Sequence, residues 1–346
     1  MRHSRTKTSV CAVSRILLDL ALSLCVASWP IVAAVAQSAE QASPQTNSAP
    51  ATPPAAPQDA QPQNARPPGG KPMDQVNITA RREIERRTLD HVVIPKFVES
   101  HAAAGGKYDQ VARWGIYICP TVVGLDEKYA ALVAARITEI AASIGAPTAK
   151  DSTCNPNVEI LFTSEPQAVL DYIAKNNEDM LGYHYKGQLK KLATFNHLVQ
   201  TWYATASRNG EGIALLDTTR DPSNGGLHHN ITNQPRSRLK AAFSSEFVNV
   251  LVIVDADNVG DHSLKSITDY IALLTLTRTT SLDVCNELPS ILDLLSSGCG
   301  QRAKPTSITD ADIAYLKALY SSDMQSLLNL QKGEMHDRML KQISGH

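Results

Sequence analysis

The chain has 346 residues, 33 of them Lys or Arg and 34 Asp or Glu, and 43% of it is hydrophobic. A balance so close to neutral leaves no electrostatic footprint for nucleic acid, and the length allows one or two domains. No Gly-x-Ser-x-Gly, phosphate loop, dinucleotide fingerprint or Cys-x-x-Cys occurs, so the common hydrolase, nucleotide and thiol-redox motifs are absent.

Arg2, Arg5, Lys7 and Arg15 precede an apolar run over 21–35 that ends in Ala34-Val35-Ala36. This order of charge, apolar core and small residues predicts a secretory signal peptide over 1–36, cut before Gln37. Asp19 and Pro30 hold the uninterrupted apolar part below the ~20 residues of a membrane span. Without that segment 29 basic residues face 33 acidic ones, a net charge near −4. Residues 37–75 carry nine of the 19 prolines and no aromatic side chain, the composition of a disordered linker that cannot bury enough surface to fold. A lead-in follows over 76–106, with Arg81, Arg82, Glu83, Glu85, Arg86 and Arg87, read as solvated or as a short strand or helix docked on the domain.

The folded domain is expected over 107–340. Residues 113–119 predict a strand, 126–144 a helix stopped by Gly145 and Pro147, and 157–163 a second strand. Ser164 is the expected cap of a helix with Pro166 in its first turn and Val169, Leu170 and Ile173 facing inward. A strand over 201–206 leads to a polar stretch, 207–240, whose glycines and His228 and His229 suit a lid or an insertion. The organising segment is Asn249 to Thr277. The run from Val250 to Val254 predicts a strand buried on both faces, and Ser263 caps a helix with Leu264, Ile267, Ile271 and Leu274 on one side. Pro289 to Leu295 forms a short apolar element. Thr309 and Asp312 open a helix in capping-box fashion, and a last amphipathic helix covers Asp323 to Leu340. Strand, helix and strand in this order predict an α/β (α+β) domain with a mixed sheet and packed helices.

Cys11 and Cys25 leave with the signal peptide, and four cysteines permit three pairings. Cys119 with Cys154 and Cys285 with Cys299 are the favoured bonds; a nucleophilic Cys119 is the rival reading. Between strand and helix, Asp255, Asp257 and Asp261 superficially match a calcium loop, but Val259 and Ser266 occupy positions that should hold ligands. His262 beside that turn, with His228 and His229, would form a metal site only if the long loop folded over. Asp269 on the following helix is expected at the surface.

Cys119-Pro120 with Gly124-Leu125, Cys154-Asn155-Pro156-Asn157, Asp269-Tyr270-Ile271-Ala272, Pro289-Ser290-Ile291-Leu292 and the run from Thr309 to Tyr320 resemble a family of uncharacterised exported bacterial proteins over roughly residues 107–321. The order of elements is also similar, more distantly, to zinc metallopeptidases of the zincin type. That resemblance implies a zincin-like layout. Zincins place two histidines and a glutamate one turn apart on a helix, where this chain has Asp269-Tyr270-Ile271-Ala272-Leu273. Leu273 cannot bind zinc, and Leu292 stands in place of the turn methionine. The expectation is a pseudo-enzyme without cofactor or metal, periplasmic or secreted, that binds a protein or cell-envelope partner. The alternative is a periplasmic hydrolase that uses Asp255, Asp269 or His262.

Overall fold

A computed structural model describes residues 83–217 and 240–344, leaving out 84, 106, 108, 109 and 150–153. The predicted signal peptide, the predicted linker, and His228 and His229 lie outside the described residues. The central element is β8 (Phe243–Asp255), and the strand order of its sheet is β4-β5-β8-β6-β7, with β3 (Arg113–Trp114) pairing off that path with β8. β4 (Pro120–Val123), β5 (Val158–Thr163) and β8 run parallel. β6 (Val199–Asn209) is antiparallel to β8, and β7 (Ala214–Leu216) is antiparallel to β6. The result is a mixed sheet with helices packed on it. A further two-stranded ladder joins β1 (Ala104–Gly105) to β2 (Gln110–Val111).

Both faces of β8 are covered, which explains why its sequence is an unbroken apolar run rather than an alternating one. Val250, Val252 and Val254 enter the larger core with α1 (Ile94–His101), α2 (Glu127–Ser143), α4 (Leu264–Leu276), α5 (Asp310–Ser321) and α6 (Leu328–Ser344). Leu251 and Ile253 face a smaller core built on α3 (Pro166–Asn176) and the turn Glu178–Leu181. Among the described residues no helix is long and apolar enough to cross a membrane.

Several expectations need correction. The fold begins upstream of Lys107, because α1 buries Ile94, Phe97, Val98 and His101 in the larger core. The strand expected over 113–119 is two residues long. Ile116 and Tyr117 leave the sheet exposed, and the chain re-enters it as the edge strand β4. Helix α3 is capped by Glu165 rather than Ser164, and the Thr163 hydroxyl accepts from the Glu165 amide. The strand expected over 201–206 extends to Asn209, so the polar stretch opens with a hairpin turned at Gly212 (φ 83°). Helix α6 starts at Leu328 rather than Asp323. The chain before it makes a turn in which Glu334 accepts from the Asp323 amide and the Ser326 hydroxyl.

The cysteines are joined as Cys119–Cys154 and Cys285–Cys299. Cys119 precedes β4 and Cys154 precedes β5. Both therefore stand at the same end of two parallel strands, 6.0 Å apart at Cα, and no bridge across the sheet is needed. The Cys285–Cys299 bond closes the shorter loop, of sequence separation 14, for which loop entropy gives about 3 kcal/mol. Replacing both Cys285 and Cys299 by alanine is expected to lower stability by about that amount, measured by urea unfolding without reductant.

Candidate functional site

The turn at the end of β8 was the first place to look, since ligands often bind beyond the carboxyl ends of parallel strands. There the Asp255 carboxylate accepts from the Asn258 amide (3.3 Å) and side chain (2.8 Å), and Val259 tucks into the larger core. Ser263 then caps α4 by accepting from the Ser266 amide. Asp257 and Asp261 point to solvent and His262 is half-buried. Among the described residues, the only three His, Cys, Asp or Glu side chains grouped closely enough for a cation are Cys285, Asp293 and Cys299. Two of those are spent in the disulfide. Within the turn, Asp255 is held by Asn258 and Ser263 caps α4, so both side chains shape the local fold.

Asp269, expected at the surface, is fully buried on α4. Arg136 from α2 grips it with two bonds, Nε to Oδ1 at 2.7 Å and Nη2 to Oδ2 at 3.2 Å, and the Ile308 amide donates to Oδ2 at 3.0 Å. The contact with Asp269 holds the Arg136 guanidinium above its usual pKa. Both carboxylate oxygens are occupied, so Asp269 joins α2, α4 and the approach to α5. It shares no partner with Asp255 or His262, and the structure does not assemble the three candidates into one centre.

Sequence reasoning overlooked a second buried constellation. His101, Ser290 and Asp312 are all 0% exposed, and Ser290 Oγ stands between His101 Nε2 (3.1 Å) and Asp312 Oδ1 (2.7 Å). These are the residue types of an acyl-transfer triad, but the order differs: catalysis needs the imidazole between serine and carboxylate, and substrate access to the serine. Here the serine is in the middle and nothing is open to solvent. His101 Nδ1 is occupied by the Phe97 carbonyl and the Ser100 hydroxyl, both at 2.9 Å. Asp312 Oδ2 accepts from the amides of Ile291 (2.9 Å) and Thr309 (3.0 Å). Burial lowers the His101 imidazole to about 4 and raises the Asp312 carboxyl to about 6. The local sequence explains the geometry, since Ser290-x-x-Asp293 and Thr309-x-x-Asp312 are two capping boxes placed side by side. The capping spacing was legible; the burial, and the partner supplied by α1, were not.

Glu159 is a further buried carboxyl group. It lies in β5, 1% exposed, and Oε1 accepts from Asn249 Nδ2 of β8 at 2.9 Å. Burial raises its pKa to about 7, against the smaller opposing effect of that hydrogen bond. The one sequence signal was a charged residue inside the apolar run Val158-Glu159-Ile160-Leu161.

The surface offers a different chemistry. Tyr183 and Tyr185 meet edge to face at 5.8 Å between centroids just after the turn that follows α3, and Tyr185 is 68% exposed. Tyr172, on α3 itself, is also exposed. Gly182 permits this turn, because at φ 81° any Cβ would lie 2.1 Å from the Tyr203 carbonyl oxygen. No family model, curated protein or solved structure matches the chain.

Proposed function

We propose that this is an exported, non-catalytic protein that binds a protein or cell-envelope partner through the tyrosine-bearing surface beside α3. The observation that carries the reading is the contrast between interior and surface. Inside, Asp269, Asp312 and His101 spend their polar atoms on the fold, whereas Tyr172 and Tyr185 present large amphipathic side chains to solvent. Tyrosine supplies contact area at low entropic cost and is enriched at protein interfaces. Two disulfides support a periplasmic or secreted location, where thiols are oxidised. The distant similarity to zincins fits a pseudo-enzyme, because Tyr270 and Leu273 on α4 are core residues where zinc machinery would stand.

The test uses the full chain, cross-linked in its native envelope and purified. The double variant Tyr172→Ala with Tyr185→Ala is expected to keep the wild-type melting temperature and to reduce the captured partner at least tenfold. Unchanged capture would reject this surface. Hydrolytic turnover abolished by Asp255→Asn would reject the non-catalytic reading in favour of a hydrolase.

A further inference from the structure

Asn249 Nδ2 donates to Glu159 Oε1, yet the other oxygen of each group, Glu159 Oε2 and Asn249 Oδ1, is buried without a partner. Both atoms are acceptors when the carboxyl is ionised, so two buried acceptors in one contacting pair lack one donor. A carboxylic acid and a primary amide satisfy each other through two bonds, N–H to one carboxyl oxygen and O–H from the other to the amide oxygen. The missing donor is one hydrogen atom. We propose that Glu159 takes up a proton from solvent and closes an acid–amide pair with Asn249, making the junction of β5 and β8 a pH-sensitive fastening.

The surroundings favour a proton over a counter-charge. On the same sheet face Arg208 donates through Nε to Glu246 (2.7 Å) and through Nη1 to the Gly212 carbonyl (2.6 Å). His184, which follows the covering turn, is bonded through Nδ1 to the Gly182 carbonyl. Asp171 and Lys175 of α3, and Glu178 and Asp179 of the turn, are exposed. The neighbouring strand β4 contributes no charge. Among the described residues no cation stands beside Glu159 to hold it ionised, and desolvation opposes its charge.

The direction of the pH effect follows from a folded value of about 7 above a reference of 4.5. The stabilisation is fully present below pH 4.5 and is lost as pH rises through 7. In Glu159→Gln the amide N–H replaces the acid O–H, so the pair stays closed at every pH. From pH 5 to pH 8 the folding equilibrium constant of the wild type is expected to fall on the order of a hundredfold relative to that of Glu159→Gln. Infrared spectra provide a second measurement: the wild-type minus Glu159→Gln difference, in which the Asp312 contribution cancels, should show a protonated carboxyl band at pH 6 that fades towards pH 8. Equal pH slopes for the two proteins, or no such band at pH 6, would overturn the proposal. The absence of that band from the difference spectrum counts against the proposal even if Asp312 still shows one, and so does stabilisation by calcium chloride or ammonium chloride at pH 8 in the wild type but not in Glu159→Gln, because a bound cation would then be the missing partner.

Discussion

Asp312→Ala is expected to destabilise the protein by about 4 kcal/mol, enough to remove much of the stability of an ordinary domain. The estimate rests on what the carboxylate leaves behind. The Ile291 amide and the Ser290 hydroxyl, on fully buried residues, and the amide of half-buried Thr309 all donate to Asp312. Each stranded buried donor costs roughly 1–3 kcal/mol. The damage would extend beyond the cap of α5, because Ser290 carries the contact on to His101 and α1. Asp312→Asn keeps one acceptor oxygen and should lose about half as much. Denaturant unfolding at pH 7.5 measures both; a loss below about 1 kcal/mol for the alanine variant would mean that the network is incidental.

Arg136→Met is expected to cost about 3–5 kcal/mol, since it removes the one ion-pair partner that a fully buried carboxylate has among the described residues. The informative experiment is the double variant Arg136→Met with Asp269→Leu. Replacing a buried pair by apolar side chains of similar volume is often nearly neutral, whereas removing one member is not. The double variant should therefore recover most of the loss, apart from about 1–2 kcal/mol for the Ile308 amide left without an acceptor. A double variant as unstable as the single one would show that Asp269 matters through something other than Arg136.

The sequence was most readable where local signals and burial agreed. Val250 to Val254 announced a strand covered on both faces, and Ser263 and Thr309 capped their helices as their spacing required. It was least readable where a polar residue took its meaning from distant partners. Asp269 looked like a surface carboxylate because Arg136 is 133 positions away, and His101 sat in a segment read as lead-in because its partners are Ser290 and Asp312. The misread strand at 113–119 failed for a related reason. Composition favoured extended backbone, but only Arg113 and Trp114 had a free length of β8 beside them. The tyrosine surface gave no periodic signal, since its members come from a helix and a turn.

The position of β8 in the chain also bears on the order in which the sheet can form. β5 with its partner β4, and β6 with its partner β7, are made first, but β5 and β6 do not touch each other in the sheet, and β8, delivered last, joins the two pairs. Closure over such separations is slow, so the two strand pairs stay apart until β8 is available to join them. A ribosome must therefore deliver the chain as far as Asp255 before the two halves can share one sheet.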